Sequence, residues 1–388
     1  MLTLSPEEKS IAAAIKQLKD EAGSHSPSLS TLSSKLPDLN IKVDACFLSN
    51  PYATDLFLKY LENDLIKGNR LRNVLEFYPS QNRMIAEKLS ETLNVSSKRI
   101  FVGNGATEII QAVIHNFTKS TLLINLPTFS SYYEFAKSDI KIVYNKLNKC
   151  DGFQLDIEQF VSFVKEKRPD TVVLINPNNP TGVYVRAEEI KFLLEELCDV
   201  ENLIIDESFI HFSFEDDTFD FKSAAELVES CDNLIVIKSM SKDFGIAGIR
   251  IGYALMDENK VNHLLKHGYL WNISGMAEYF LGLYTKEAFY KEYDGVRRQY
   301  LKVAQDFFKE LSIIEQVKVY PSSANFTLVE LIDGSDCDIF CSKLLIKHGV
   351  YTRTCKDKVG LEGEFVRISA RNSEENAVTI NSIKDIFS

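Results

Sequence analysis

The stretch Ser239-Met-Ser-Lys-Asp-Phe-Gly-Ile-Ala-Gly-Ile-Arg250 decides the fold. It directly follows the apolar run Leu234-Ile-Val-Ile237, which predicts a buried strand. Lys242 is therefore expected in the loop just past the carboxyl end of that strand, where open α/β sheets place their ligands. A lysine amine in such a loop can bond covalently to an aldehyde when burial and nearby cations lower its pKa.

The residues around this lysine suit a phosphate group. Ser239 and Ser241 precede it, and Arg250 follows eight residues later. An amine for an aldehyde, together with hydroxyls and a guanidinium for a phosphate, matches pyridoxal 5'-phosphate (PLP). The alternative is an ordinary surface loop that happens to contain a lysine, so the other motifs of the chain must decide.

Length, charge and cysteine content narrow the class of protein. The 388 residues are 45% hydrophobic, which is enough for a large core and favours two domains over one. A net charge of −11 without a basic stripe argues against a nucleic-acid partner. Neither a membrane span nor a signal peptide is expected, because no apolar run is long enough and the first residues are polar. Seven scattered cysteines without a C-x-x-C pair, and histidines without ligand spacing, predict a cytoplasmic protein with no metal site.

Strands alternate with helices through the middle of the chain, which indicates a largely parallel sheet with helices on both faces. The predicted strands are 99–102, 121–126, 141–147, 171–175, 203–205, 234–237 and 249–256. The predicted helices include one at 129–138 and a long one at 294–311. After about residue 290 the pattern changes to a smaller α+β arrangement. We therefore predict an α/β protein with a mostly parallel seven-stranded sheet in a large PLP-binding domain at 47–290. A small domain is expected to combine 1–46 with 291–388.

The N-terminal segment begins with a helix signal. Ser5, Pro6 and Glu8 form a capping box with proline in the first turn, and the helix should run to about Glu21. The serine-rich stretch 23–36 is predicted to be an irregular arm that docks on a second subunit.

Two turns of the large domain are candidate ligand sites. Gly103-Asn-Gly-Ala-Thr107 precedes a predicted helix, whose free amides could bind a phosphate that the glycines allow to approach. Asn176-Pro-Asn-Asn-Pro-Thr-Gly182 is a rigid turn after a buried strand, and it offers three side-chain amides. The alternatives are that 103–107 is an ordinary glycine turn and that 176–182 is an ordinary surface turn.

Other candidate residues are acidic, aromatic or basic. Asp206 ends an apolar strand and needs a partner there, which a protonated pyridine nitrogen could supply. A helix cap or a core salt bridge would also explain it. Phe129 could stack on a flat ring, although most such aromatics only pack in a core. Arg353, Arg367 and Arg371 of the small domain could bind carboxylate or phosphate, with ordinary surface charge as the alternative.

Together, these motifs resemble the class I and II aminotransferase family of fold-type I PLP enzymes, over essentially the whole chain. The resemblance implies that Lys242 binds the cofactor covalently and later carries a proton. It also implies that Asp206 pairs with the pyridine nitrogen, that Asn179 bonds the ring hydroxyl and that Phe129 stacks on the ring. The implied phosphate contacts are Ala106, Thr107, Ser239, Ser241 and Arg250.

The resemblance extends to the substrate and to a second subunit. Arg367 would bind the substrate α-carboxylate, and Arg353, Arg371 and Asn179 are further substrate candidates. Tyr78 would reach the cofactor phosphate of the neighbouring subunit, so a homodimer with shared active sites is implied.

Within the family, the chain looks most similar to threonine-phosphate decarboxylases and histidinol-phosphate aminotransferases. The segment Asp206-Glu-Ser-Phe209 lacks the tyrosine of the aminotransferase D-E-x-Y, and Arg353-Thr-Cys355 resembles the R-x-C of the decarboxylases. Arg371 stands where the aminotransferases usually have glycine. Leu48-Ser-Asn-Pro51 departs from the N-x-N-P of both groups.

These details favour an α-decarboxylase that converts a small O-phosphorylated amino acid, of the phosphoserine or phosphothreonine type, into a phosphorylated amine. An aminotransferase of a small phosphorylated amine or ketone shares every cofactor contact and remains open. A non-catalytic PLP-binding or regulatory protein is the third alternative.

Overall fold

The computed structural model describes residues 2–21, 23 and 25–388. The chain divides into two units. The larger unit comprises Ser49–Asn179 and Val183–Gln299, and the smaller unit comprises Met1–Leu48, Pro180–Gly182 and Tyr300–Ser388. Within the described residues, no helix combines the length and the apolar character that a membrane crossing requires.

The strands are short, and most of them are fully buried. They are β1 Val43–Asp44, β2 Ile100–Gly103, β3 Thr121–Leu126, β4 Lys141–Lys146, β5 Thr171–Ile175, β6 Asn202–Asp206, β7 Leu234–Ser239, β8 Gly252–Leu255, β9 Val317–Val319, β10 Phe326–Leu331, β11 Val350–Tyr351, β12 Arg353–Thr354 and β13 Phe365–Ser369.

The α-helices alternate with these strands through the larger unit. They are α1 Pro6–Glu21, α2 Leu29–Lys35, α3 Pro51–Leu61, α4 Leu71–Glu76, α5 Asn82–Leu93, α6 Ala106–Phe117, α7 Ser131–Glu134, α8 Ile157–Lys167, α9 Ala187–Glu196, α10 Glu258–Lys266, α11 Gly275–Tyr284, α12 Glu287–Leu311, α13 Cys337–Lys343 and α14 Ser373–Phe387.

The larger unit contains a seven-stranded sheet in the order β2-β8-β7-β6-β5-β3-β4. All pairs are parallel except those of β8, which runs antiparallel to β2 and β7. Alternate residues of a strand enter different cores: Val172 and Leu174 of β5 belong to one cluster, and Val173 and Ile175 belong to the other. Because both faces are covered, the strands are continuous aliphatic runs. The predicted seven-stranded, mostly parallel sheet is confirmed.

Strand register gathers the polar strand ends at one edge of this sheet. Asp206 at the end of β6 pairs with Ile175 of β5 on one side and with Ile237 of β7 on the other. Ser239, the last residue of β7, pairs with Gly252 of β8. The loop that carries Lys242 therefore begins next to the strand that ends in Asp206.

The smaller unit has its own antiparallel sheet, β12-β13-β10-β9, and a parallel pair formed by β1 and β11. Register places Arg353 of β12 directly opposite Arg367 of β13. The two arginines therefore project from the same face of the sheet.

The N-terminal predictions had mixed outcomes. The helix signal is confirmed, because Ser5 N donates to Glu8 Oε2 and Glu8 N donates to Ser5 Oγ in α1. The irregular arm at 23–36 is wrong in its second half, where α2 forms with Ser28 as its N-cap. Burial stabilises this short helix, because Leu32 packs into a cluster with Tyr351. Ser24 lies outside the described residues.

Two helix boundaries also differ from the sequence prediction. The helix expected over 129–138 is a single turn, Ser131–Glu134, since the chain turns again where Ile140 N donates to Lys137 O. The helix expected from Asp294 begins seven residues earlier at Glu287. Apolar side chains in that extra part, such as Phe289 and Tyr293, are buried in the large core.

Candidate active site

Lys242 lies three residues after β7 in a loop that is held from several sides. Its carbonyl accepts hydrogen bonds from Asn50 N at 3.0 Å and Gly245 N at 3.3 Å, and Thr54 Oγ1 donates to Gly245 O at 2.7 Å. Gly245 has a φ of +65°, and a Cβ there would lie 2.2 Å from Thr54 Oγ1. Only glycine fits this position, so the backbone that presents the lysine has a fixed course.

A buried charge cluster lies directly beside this loop. Lys238 Nζ lies 2.5 Å from Asp243 Oδ2, and His211 Nδ1 lies 2.8 Å from the same oxygen. Burial by itself would raise the pKa of Asp243, but the charges of Lys238 and His211 lower it to about 2. Burial and the Lys238 charge lower the pKa of His211 to about 4. At neutral pH the cluster is therefore one lysine–aspartate ion pair with a neutral histidine.

The sequence analysis missed this cluster, although a signal was present. Lys238 interrupts an apolar strand run, and Asp243 immediately follows the candidate nucleophile. Charged residues at such positions require partners, but the partner His211 lies far away in the sequence.

Asp206 is a buried carboxylate with a defined orientation. Its Oδ2 accepts a hydrogen bond from Tyr132 Oη at 2.8 Å, and its Oδ1 accepts from Ser208 N at 2.9 Å and Ser208 Oγ at 2.5 Å. Burial raises the pKa of Asp206 above its usual value despite these bonds. A cationic partner would stabilise the charged form, and a protonated pyridine nitrogen has that character. The sequence analysis missed Tyr132, which lies three residues after Phe129.

The side-chain amides of Asn176 and Asn178 hold the asparagine-rich turn in place. Asn176 exchanges hydrogen bonds with the backbone of Val185, and Asn178 Nδ2 donates to Pro127 O at 3.0 Å. The backbone N–H of Asn176 donates to Asp206 O at 2.8 Å, which ties the turn to the end of β6. Asn179, the residue that the resemblance assigns to the ring hydroxyl, is buried next to this frame.

The predicted phosphate contacts meet around the start of α6. Gly105 has a φ of +82°, and a Cβ there would lie 2.6 Å from Arg250 Nη2. The glycine thus allows the guanidinium to approach the helix N-terminus. Gly252 brings Ala106 to the end of β7, because its own Cβ would lie 3.1 Å from Ala106 N.

An orphaned hydroxyl completes this arrangement. Ser241 Oγ is buried and has no hydrogen-bond partner among the described residues, while Ser239 Oγ accepts from Ser241 N at 3.3 Å. A buried hydroxyl, uncapped amides and a guanidinium are donors that a phosphate would satisfy. Together with the amine of Lys242 and the carboxylate of Asp206, they form a donor set that fits PLP.

The remaining two cofactor candidates have different surroundings. Phe129 is half-buried and packs against the sheet core that contains Tyr132. Tyr78 is 88% exposed, and its ring centroid lies 5.9 Å from that of Trp271, which is 57% exposed. The implied reach of Tyr78 to a second subunit stays a prediction.

The smaller unit holds the three candidate arginines. Arg353 and Arg367 are buried, whereas Arg371 is partly exposed and its Nε lies 3.4 Å from Glu375 Oε2. Arg367 Nη2 donates to Cys46 O at 2.8 Å. Their roles toward a substrate stay predictions.

Known proteins resemble this chain along its whole length. The model of the family "Aminotransferase class I and II" matches residues 58–383. An L-serine phosphate decarboxylase from Campylobacter jejuni is 56% identical over 387 residues, covering 100% of this chain and 99% of that protein. The structure of a decarboxylase from Sulfurospirillum multivorans is 46% identical with a TM-score of 0.94, over 98% of this chain and 97% of that one. A histidinol-phosphate aminotransferase from Sinorhizobium meliloti, solved with pyridoxal-5'-phosphate, shares the fold at 17% identity and a TM-score of 0.74, over 94% and 96% of the two chains.

Proposed function

Because the chain belongs to the class I and II aminotransferase family, we propose that it is a PLP-dependent decarboxylase of a small O-phosphorylated amino acid. Phosphoserine is the first candidate substrate, and the product is then a phosphorylated amine and CO2. The observation that carries the reaction type is the 56% identity, over the full length of both chains, to an L-serine phosphate decarboxylase. Phosphothreonine is the second candidate.

The cofactor, when bound, supplies the electron sink that accepts the electron pair left at the substrate Cα as CO2 departs. Asp206 would keep a proton on the pyridine nitrogen, and Tyr132 and Ser208 hold the carboxylate in a fixed orientation. The cofactor phosphate would be held by Ser239, Ser241, Arg250 and the amides of Ala106 and Thr107.

Lys242 and the arginines act on the substrate. The Lys242 amine would hold the cofactor covalently, and it is the group of this loop that could deliver a proton to the substrate Cα. Arg367 binds the α-carboxylate through parallel hydrogen bonds, and Arg353, Arg371 and Asn179 are further substrate contacts.

An aminotransferase activity is the alternative, and the family match favours keeping it open. Phe209 argues against it, because this buried phenyl ring cannot donate the hydrogen bond that the aminotransferase tyrosine gives to the cofactor. The two reactions differ in the bond at Cα that breaks and in their need for an oxoacid.

A product assay tests the proposal. Purified, PLP-loaded protein is incubated with O-phospho-L-serine or O-phospho-L-threonine, with and without 2-oxoglutarate. Release of CO2 and a phosphorylated amine, independent of the oxoacid, is expected. Glutamate formation that strictly requires 2-oxoglutarate would identify an aminotransferase instead.

A homodimer is the proposed assembly, and an exposed apolar patch of the larger unit supports it. Its residues are Leu75, Phe77, Tyr78, Leu270 and Trp271, all of them exposed, and the rings of Tyr78 and Trp271 lie 5.9 Å apart. Exposed apolar surface of this kind marks an interaction site. A second copy of the chain would cover it and would bring Tyr78 to the partner's cofactor phosphate.

Trp271 provides a direct test, because it is the only tryptophan of the chain. Dilution should dissociate the dimer, shift the sedimentation coefficient and expose the indole, which shifts its fluorescence to longer wavelength. Identical fluorescence of a monomer and a dimer would place the interface elsewhere. A cytoplasmic location also stays a proposal, supported by seven cysteines that are all free thiols.

A further inference from the structure

The loop that carries Lys242 is closed at its base by a buried ion pair. Lys238 is the penultimate residue of β7, and Asp243 directly follows Lys242. Both side chains are almost fully buried, and Lys238 Nζ donates a hydrogen bond to Asp243 Oδ2 at 2.5 Å. The bond joins the two ends of the segment 238–243, which contains both serines of the candidate phosphate site. The segment is therefore a ring that a charge pair closes.

A second set of contacts holds Asp243 and its neighbour. His211 Nδ1 lies 2.8 Å from Asp243 Oδ2 and 2.8 Å from Tyr293 Oη, so three side chains meet at one nitrogen. The ring of Tyr293 also stacks on that of Phe244, with centroids 4.1 Å apart and planes at 28°. Both residues that follow Lys242 are thus held by side chains from the segment after β6 and from helix α12.

Stability alone does not account for this ion pair. Replacing a buried pair with apolar side chains of similar volume is often neutral or stabilising, because both charges lose their hydration on burial. Asp243 Oδ1 is buried and has no hydrogen-bond partner among the described residues, so the carboxylate is only partly satisfied. A purely structural contact at this position would be served at least as well by two apolar residues.

We propose that Asp243 is a positioning residue, which orders the loop 239–245 and fixes the direction of the Lys242 amine before the cofactor binds. Lys238 and His211 hold the carboxylate, and the carboxylate holds the backbone next to the reactive lysine. The inference rests on the proposed role of Lys242 as the covalent anchor of PLP. It assigns a task to a buried charge cluster that no step of the proposed mechanism uses.

The restraints on the loop differ before and after Lys242. Before it, Met240 N donates to Ile251 O at 3.2 Å, next to the paired ends of β7 and β8. After it, the ion pair of Asp243 is the side-chain contact that links the chain back to β7. Without that pair, the amine of Lys242 occupies a wider range of positions. A displacement of about 1 Å in a reacting group can cost roughly 100-fold in rate.

A double variant separates positioning from stability. Lys238→Met combined with Asp243→Leu removes both charges and fills the space with apolar groups, so the melting temperature should stay within about 4 °C of wild type or rise. In the full-length protein before PLP is added, amide exchange of the peptide 239–250 should nevertheless accelerate by at least about 10-fold, because exchange reports local opening. Capture of PLP, followed by the visible absorbance of the covalently held cofactor, should slow by about 10- to 100-fold.

A matched control is expected to have the opposite pattern. Leu264 is fully buried in the other core cluster, on α10, which follows the end of β8 that lies away from the Lys242 loop. Leu264→Ala leaves a cavity and should lower the melting temperature by roughly 5 °C or more. Exchange of the peptide 239–250 and capture of PLP should stay within about 2-fold of wild type, because the two sites are independent. Lys238→Arg keeps the ion pair and should also match wild type in both measurements.

Two outcomes would overturn the inference. One is loop exchange and PLP capture in the double variant that equal those of wild type. The other is equal acceleration of loop exchange in the double variant and in Leu264→Ala, since the effect would then follow stability alone. If circular dichroism shows that the double variant is unfolded, Tyr293→Phe replaces it, because it removes one hydroxyl and keeps the ring on Phe244. That variant should accelerate loop exchange by about 2- to 10-fold, and unchanged exchange would equally reject the positioning role.

The exchange measurement does not depend on catalysis. If the wild type turns over no phosphoamino acid, the proposed decarboxylase function falls, and the pattern of loop exchange still decides the positioning role. If turnover is as proposed and loop exchange is unchanged in the double variant, only the positioning role falls.

Discussion

Each unit buries a cluster of charged side chains, and the two clusters differ in their balance. In the larger unit, Lys238 and Asp243 form a one-to-one ion pair beside neutral His211. In the smaller unit, the carboxylate of Asp357 lies 2.8 Å from Arg353 Nη2, 3.5 Å from Lys358 Nζ and 3.5 Å from Lys19 Nζ. A carboxylate beside several cations keeps a partner when one of them is removed, whereas the carboxylate of a one-to-one pair loses its cation.

The difference predicts different costs for removing one cation. Lys238 lies in β7 and Asp243 directly follows Lys242, so their ion pair connects the lysine loop to the strand before it. Substitutions in the two clusters should therefore differ in their effect on stability.

The largest expected effect is the loss of turnover when Lys242 is replaced. Lys242→Ala should abolish turnover and the visible colour of covalently held cofactor, because no other amine occupies that loop position. Lys266→Ala on the exposed part of α10 is the control. A coloured, active Lys242→Ala variant would end the argument for PLP.

The next effect compares the two buried lysines by the same substitution. Lys238→Met leaves Asp243 buried without its cation and should lower the free energy of unfolding by about 3–5 kcal/mol. Lys358→Met should lower it by less than about 1 kcal/mol, because Asp357 keeps Arg353 and Lys19 as partners. Urea denaturation monitored by circular dichroism gives both values. Similar losses for the two variants would remove the distinction between the clusters.

A third prediction concerns Asp206, the buried carboxylate at the end of β6. Asp206→Asn keeps the shape but removes the charge, and it should reduce kcat by about 10²- to 10³-fold. Tyr132→Phe removes one hydrogen bond to that carboxylate and should cost about 10-fold. Steady-state kinetics with the PLP-loaded enzyme measure both effects, and PLP affinity provides an independent readout. If Asp206→Asn matched wild type, Asp206 would be only a structural acceptor for Ser208.

The smallest effect is a change in pH dependence. The pKa of His211 is about 4 in the folded protein, below its usual 6.5, so the folded state binds fewer protons than the unfolded state between these values. This contribution to stability is present above pH 6.5 and is lost as the pH falls toward 4. His211→Asn should therefore flatten the stability curve in this window by up to about 1.4 kcal/mol per pH unit. An unchanged slope in thermal melts from pH 4 to 7 would show that the pKa of His211 is not lowered in the folded protein.

Much of the larger unit followed from local sequence patterns. Continuous aliphatic runs predicted β5, β6 and β7, and the polar residue or loop after each run predicted where Asp206 and Lys242 would lie. The capping box of α1 was equally predictable, because its hydrogen bonds join residues three positions apart. Signals of this kind depend only on residues that are close in the sequence.

The errors and omissions share a different cause. The helix α2 was predicted as irregular because serine-rich segments form helices only with tertiary support, which here comes from the burial of Leu32. Tyr132 was missed as a partner of Asp206 because the two residues are 74 positions apart.

The sequence by itself determined the order of most elements, the chemistry available at the strand ends and the three arginines Arg353, Arg367 and Arg371. Only the tertiary structure decided which charges meet. It paired Lys238 with Asp243 and His211, and it set Arg353 opposite Arg367. The reason is that apolar periodicity is a local property of the chain, whereas the partner of a buried charge is chosen by strand register and packing between distant segments.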